Sequence, residues 1–211
     1  MKEKGSDYYD SVYSRDDSPY LGMPEELVAY YPTWSRAASL ICRLSERKGP
    51  MKIVDIGCGP GHFAKVLEEK GFFKRSSRNL YFGYDFSPKA VSMAKDLISN
   101  PNVNFYEKDV VSSTNTFFEA TEKGPKNIVY CSFEFLEHVE EDLLVLGKAK
   151  RGSKIFASVP SFDSAGHVRF FENSREVVDR YSSSIRFNSV EEYPVGDSDE
   201  HKLYFMNGTI I

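Results

Sequence analysis

Cysteine is scarce in this chain, and nothing in it points to a membrane or a polyanion. The three cysteines among 211 residues, Cys42, Cys58 and Cys131, form no CxxC pair and are too few and too scattered for a disulfide framework. A reducing compartment follows, and a cytoplasmic location is the expectation. No apolar run approaches the roughly 20 residues that cross a bilayer. The opening Met-Lys-Glu-Lys gives way to polar and aromatic residues without an apolar segment, so no signal peptide is expected. No basic block occurs and the net charge is −4, which argues against a long phosphate backbone as partner and leaves small-molecule substrates. No feature sets an oligomeric state. Only four histidines are present, so the surroundings of each carry information.

What remains is an ordinary globular composition, 41% hydrophobic and 27% charged, in a chain long enough for one domain with a sizeable core. From Met51 onward strand-like and helix-like patterns alternate. Strands are expected at Met51–Ile56, Leu80–Tyr84, Val103–Tyr106, Asn127–Ser132 and Lys154–Val159. Helices are expected at Pro60–Lys70, closed by Gly71, and at Pro88–Ile98, where Ser87 is the N-cap and Pro88 fills the first position. Two more are expected at Val139–Lys148 and Glu172–Tyr181. Ile185–Glu191 and Lys202–Asn207 alternate like strands and should pair antiparallel. Alternating β and α implies a parallel sheet covered by helices, with ligands outside the carboxyl ends of the strands. The expected fold is one doubly wound α/β domain with a mostly parallel seven-stranded sheet and a C-terminal antiparallel hairpin.

Residues 1–50 differ from the rest. Seven aromatics fall within the first 34 residues, Tyr8, Tyr9, Tyr13, Tyr20, Tyr30, Tyr31 and Trp34, and Ser35–Leu44 reads as a helix. An extra helix packed on the sheet edge would account for them. So would a lid of aromatics closing over a bound cofactor. The domain proper is expected over 51–211.

The chemistry concentrates after the strands. Ile53-Val54-Asp55-Ile56-Gly57-Cys58-Gly59-Pro60-Gly61 reads as a β-branched strand ending on an acid, then a glycine-rich turn, then a helix start. Glycine there supplies unusual dihedrals and close approach to a nucleotide-like ligand. A dinucleotide site would need G-x-G-x-x-G, but the third glycine comes one residue early at Gly61 and His62 stands where glycine should be. Asp55 would also repel a pyrophosphate, whereas it suits an ammonium group. Asp85 closes the second strand, where a carboxylate accepts ribose hydroxyls, and the ring of Phe86 follows to pack on a base. Asp109, with Val110, follows the third strand and is placed to take an exocyclic amine. Phe133 ends the fourth.

With these features in register, the stretch from Met51 to the C-terminus resembles the class I S-adenosylmethionine-dependent methyltransferases. The resemblance implies that Asp55, Gly57, Gly59 and Gly61 hold the methionine part of the cofactor, that Asp85 binds the ribose and that Asp109 binds the adenine amine.

The acceptor end is read from Glu134-Phe135-Leu136-Glu137-His138 and from the later loop Gly166-His167-Val168-Arg169. If the first segment is helical, Glu134, Glu137 and His138 share a face. Either His138 or His167 suits a general base. The same acids at a helix start could merely favour its dipole, and Arg169 reads as a surface charge. The pattern resembles the ubiquinone-biosynthesis type of O-methyltransferase and the small-RNA 3′-end 2′-O-methyltransferases. That likeness implies that Glu134, Glu137, His138 and His167 hold a divalent metal such as Mg, which lowers the pKa of the acceptor hydroxyl. The expected reaction is O-methylation of a small-molecule phenol or sugar. N-methylation, RNA 2′-O-methylation and a non-catalytic cofactor-binding partner remain alternatives.

Overall fold

The central strand β1 (Met51–Ile56) is buried along its whole length, which is what a continuous apolar run between two helical layers requires. The computed structural model describes residues 2–18, 20–114, 117, 124–196 and 198–211. Beside β1 stand β2 (Leu80–Asp85) and β4 (Asn127–Phe133), both parallel to it. β3 (Val103–Glu107) pairs outside β2, and β5 (Lys154–Pro160) outside β4. The last strands, β6 (Ile185–Val195) and β7 (Ser198–Ile210), run antiparallel to each other, and β7 inserts antiparallel against β5. The order is β3-β2-β1-β4-β5-β7-β6, seven strands in one sheet. This is the expected architecture.

Along β1 the side chains alternate. Ile53 joins the core under α2 (Tyr31–Lys48), α3 (His62–Glu69) and α5 (Pro88–Leu97), with Ala37, Ile41, Phe63 and Leu67. Val54 and Ile56 join the opposite core with Val145 and Leu146 of α6 (Asp142–Gly147) and Val177 and Tyr181 of α7 (Ser174–Tyr181). A short helix α4 (Phe72–Arg75), which the sequence pattern did not reveal, starts at Gly71 and buries Phe72 and Phe73. The strand order reverses direction between β1 and β4. Helices on the two sides diverge there and leave a crevice at the strands' carboxyl ends.

The N-terminal helix α1 (Ser6–Tyr13) lies across that crevice. Its Asp10 Oδ1 accepts from Ser87 Oγ at 2.5 Å and from the Lys89 amide at 3.2 Å, so α1 is fixed to the start of α5. At its other end, Glu3 Oε2 accepts from the Glu140 amide at 2.8 Å. The segment is thus tied to both sides of the opening. α2 is tied to β6 by a two-pronged pair, Arg36 Nε and Nη2 to the Glu191 carboxylate, each at 2.9 Å.

Candidate functional site

A cavity of about 710 Å³ opens at the carboxyl ends of β1, β2, β3 and β4 and is roofed by α1 and the aromatics that follow it. Its size falls within the range of sites for cofactor-sized ligands. The glycine loop and the segments at the ends of β2, β3 and β4 meet here, whereas the loop after β5 does not line it.

The loop after β1 is held by its own amides. Gly57 and Cys58 donate to the Tyr84 carbonyl at 2.8 and 3.1 Å, Gly59 donates to Asp85 Oδ2 at 2.9 Å, and Gly61 donates to the Cys58 carbonyl at 3.1 Å. Pro60 lacks an amide hydrogen, so every N–H of residues 57–61 is engaged within the protein. Gly57 is required twice over: its φ is +70°, and a Cβ there would lie 2.3 Å from the Phe135 ring. Gly61, at φ +86°, lets α3 approach α5, because a Cβ would lie 2.9 Å from that of Ala94. The close approach that demands glycine at these two positions is to protein, where the sequence reading placed a ligand.

Asp55 is buried, 2% exposed. Tyr81 donates its hydroxyl to Oδ2, and Oδ1 has no partner. Burial pushes its pKa up to about 7, against the opposing bond from Tyr81. Asp85 is also buried. Its Oδ1 accepts from the Ser87 amide at 2.9 Å, and burial raises its pKa to about 6 despite the bonds from the Ser87 and Gly59 amides. Asp109 is exposed at the cavity edge and caps its own loop, accepting from the Val111 amide and the Ser112 hydroxyl at 2.8 and 2.7 Å. Partial burial pushes its pKa up, but the Ser112 bonds outweigh that and hold it below the usual value. Phe86, Val110 and Phe133 line the same cavity.

Over these residues runs a row of rings, with centroid separations of 5.3 Å for Tyr13–Tyr20, 6.2 Å for Tyr20–Tyr30, 5.8 Å for Tyr30–Trp34 and 5.7 Å for Trp34–His62. Tyr9 packs on Phe86 at 5.5 Å and edge-on to His138 at 5.7 Å, and its buried hydroxyl has no partner.

At the far end, His138 Nδ1 is 3.1 Å from the Gly166 carbonyl, and His167 Nδ1 is 3.1 Å from that of Phe162. Those contacts assign the hydrogen to Nδ1 in both rings and leave each Nε2 as a lone pair. The rings are 4.8 Å apart. Glu137 is fully buried, both of its carboxylate oxygens lack partners, and Oε1 is 3.8 Å from His138 Nε2. Ligand atoms of Glu137, His138 and His167 all lie within 4.8 Å of one another. Glu134, expected as a fourth member, does not join them. Its Oε1 accepts from Ser158 Oγ at 2.8 Å, and its φ of +52° takes it out of any helix. Only Leu136–His138 forms a short 3-10 turn, so the shared helical face is not built. Burial raises the pKa of both glutamates, Glu137 further still through the nearby Glu134 charge, while burial lowers His138 to about 4 and His167 below its usual value.

A family model described as a methyltransferase domain matches residues 30–177. The chain belongs to the methyltransferase-domain family. Fold and family together make it a class I S-adenosylmethionine-dependent methyltransferase, an enzyme. Solved structures similar to this methyltransferase include the N-methyltransferase NodS from Bradyrhizobium japonicum in complex with S-adenosyl-L-homocysteine (14% identity, 97% of each chain covered, TM-score 0.61). Another is a SAM-dependent methyltransferase from Anabaena variabilis (12% identity, 100% of this chain and 98% of that one, TM-score 0.64). A third is a SAM-dependent methyltransferase from Aquifex aeolicus (14% identity, 99% and 100% covered, TM-score 0.57). At these identities the likeness is one of fold.

Among the methyltransferase's described residues, no helix is long and apolar enough to cross a membrane. Tyr81, the partner of Asp55, and Asp10, the anchor of α1, carry no signal in the sequence. Arg169 is not the surface charge expected from its place in a loop. Its side chain is 14% exposed, and it donates from Nη1 to the carbonyls of Leu136 and Val139 at 2.6 and 2.5 Å while pairing with the buried Asp142 at 3.1 Å. Arg169 therefore clamps both sides of the Leu136–His138 turn. A lone arginine in a loop gives no sequence signal of that.

Proposed function

We propose that this methyltransferase transfers the methyl group of S-adenosylmethionine to a hydroxyl oxygen of a small molecule, a phenol or a sugar. The observation that carries the reading is the Glu137–His138–His167 group beside the cavity, with two imidazole lone pairs oriented by Nδ1 bonds and a buried carboxylate lacking partners.

The residues at the carboxyl ends of the strands fit the cofactor. Asp55 has a buried oxygen free to receive the α-ammonium group. Asp85, already oriented by two amides, has lone pairs left for ribose hydroxyls. Phe86 offers a ring face to the base, Asp109 an acceptor for its amine, and Val110 and Phe133 apolar walls. Gly57, Gly59 and Gly61 shape the loop along which the methionine part lies. When bound, S-adenosylmethionine supplies a methyl group on a sulfonium, an electrophile with a good leaving group.

Catalysis then rests on alignment, exclusion of water and proton removal. α1 and the Tyr13–Trp34 row act as the lid that keeps water out. The acceptor hydroxyl lies against His138 Nε2, which takes its proton as the oxygen–carbon bond forms. Glu137, 3.8 Å away, steadies the resulting imidazolium when ionised. His167 faces the same hydroxyl from the other side. The set Glu137, His138 and His167 also fits a divalent metal, with both rings held through Nδ1 as ligating histidines usually are. A metal there would lower the pKa of the hydroxyl. Three buried free thiols suit the reducing cytoplasm.

The buried acids make cofactor binding pH-dependent. In the free protein Asp55 titrates near 7, raised by burial. A cation against Oδ1 favours the charged form, so its pKa falls on binding and a proton is released between the two values. Affinity for S-adenosylhomocysteine, which carries the same ammonium group, is expected to rise with pH up to about 7. Below that it should weaken by roughly tenfold per pH unit, the limit for one linked proton. Asp85, raised to about 6, adds a pull of the same sign at lower pH. Calorimetric titration from pH 5.5 to 7.5, in two buffers of different ionisation enthalpy, measures both the slope and the proton. A flat affinity with no proton released contradicts the assignment of Asp55.

A further inference from the structure

A second groove, about 440 Å³, lies beside the cofactor cavity, with Lys2, Lys4 and Tyr8 on one wall and residues 163–167 on the other. Residues 2–5 are not helical and lead into α1. Glu3 accepts from the Glu140 amide at 2.8 Å and lines the first cavity. Lys2 and Lys4, on either side of it, line the groove. The Lys4 ammonium sits 5.4 Å over the Tyr8 ring, a cation–π contact that gives it a preferred position. Among the described residues, neither lysine has a carboxylate within ion-pair distance, and Asp163 is the one acid on the groove's walls. The groove is thus locally cationic in a chain of net charge −4.

Gly166 forms the wall between this groove and the reacting end of the site. A Cβ at Gly166 would lie 3.1 Å from the Tyr9 hydroxyl, 3.5 Å from His138 Nδ1 and 3.6 Å from Lys4 Cγ. His167 lines the groove, with its ring 4.8 Å from that of His138, and Lys4 lines both cavities. A molecule whose hydroxyl lies at His138 Nε2 in the first cavity can therefore extend past it and bring its other end to the ammonium groups of Lys2 and Lys4.

We propose that this groove binds the methyl acceptor and that the acceptor is an anion: a hydroxylated small molecule carrying a carboxylate or phosphate, which Lys2 and Lys4 hold. The inference rests on the methyl-transfer reading and adds the acceptor's charge.

Matched pairs of probes test it, phenol against 4-hydroxybenzoate for the carboxylate arm and glucose against glucose 6-phosphate for the phosphate arm. Each is titrated calorimetrically into protein saturated with S-adenosylhomocysteine, wild type and the double variant Lys2→Glu/Lys4→Glu. Both lysines are exposed and outside any helix, and an unchanged melting temperature confirms the fold. In at least one arm the charged member should bind about tenfold or more tightly than its neutral twin, the scale of one charge-assisted hydrogen bond. The double variant should erase that preference and leave the affinity for S-adenosylhomocysteine unchanged. The proposal is overturned if no arm prefers the anion (binding of neither member included), if the preference survives in the variant, or if the variant weakens S-adenosylhomocysteine instead, which would assign Lys4 to the cofactor. Wild-type protein that takes up no S-adenosylhomocysteine overturns the cofactor reading beneath it, and that is measured first.

Discussion

Replacing His138 by alanine is expected to slow methyl transfer by about 10²–10⁴-fold, the range for removing a positioned acid–base group. Affinity for S-adenosylhomocysteine should not change. The separation follows from the geometry. His138 takes no part in the hydrogen bonds that hold the glycine loop or orient Asp55 and Asp85. Its Nδ1 hydrogen is committed to the Gly166 carbonyl, so Nε2 is a lone pair in every resting molecule. Burial lowers its pKa to about 4, so the ring is neutral at physiological pH. Rates are measured at saturating cofactor on an accepted substrate, with calorimetry for S-adenosylhomocysteine alongside. A variant that keeps the wild-type rate removes His138 from the chemistry. One that loses S-adenosylhomocysteine binding moves it to the cofactor's side.

The Asp142→Ala variant is expected to lose about 3 kcal/mol of stability, the lower end of the range for breaking a buried pair. For a chain of this length that lowers the melting temperature by roughly 10 °C. Asp142 is fully buried and is the hub of four contacts: Arg169 at 3.1 Å, Arg180 through Nη2 at 2.6 Å and Nε at 3.1 Å, and the Tyr181 hydroxyl at 2.9 Å. Without it, Arg169 keeps its carbonyl partners but loses its counter-charge in a largely buried place. Arg180 is about one-third exposed and recovers water, which is why the low end applies. Because Arg169 also holds both sides of the Leu136–His138 turn, transfer should slow at temperatures where the variant is still folded. Thermal melts followed by circular dichroism measure the first effect. A shift below about 2 °C, under 1 kcal/mol for a protein of this size, contradicts the account of this network.

These two residues also show where sequence reading works and where it stops. β1, β2, β4 and β5 were legible because each is a short apolar run bounded by glycine, proline or an acid, and strands buried on both faces have that signature. The ends of β6 and β7 were not. β6 is an edge strand with Glu191, Glu192 and Pro194 in it, tolerated because one side has no partner strand, so its periodicity is weak and it runs beyond the expected end at Glu191 to Val195. Asp55, Asp85 and Asp109 were legible because each stands at or just after the carboxyl end of a strand, and a parallel sheet gathers its strand ends at one edge. Glu137, His138 and His167 converge as anticipated, but Glu134 leaves them because its backbone turns left-handed, a choice made by tertiary context. The role of Arg169 was invisible, since its partner Asp142 is remote in sequence and only the fold joins them. The aromatics before Trp34 were legible as a group. Their arrangement as a roof depends on Asp10 and Glu3, two surface-type residues whose bonds to Ser87 and Glu140 no periodicity announces.

The central claim is that the crevice over β1 and β2 binds the sulfonium nucleoside through Asp55 and Asp85. Titration of the purified protein with S-adenosylhomocysteine at pH 7.5, wild type against Asp85→Ala, tests it most directly. The account predicts one equivalent bound by the wild type and affinity at least about a hundredfold weaker in the variant, on the scale of losing two hydrogen bonds to a charged group. No uptake by folded wild-type protein, or equal uptake by both, would contradict it.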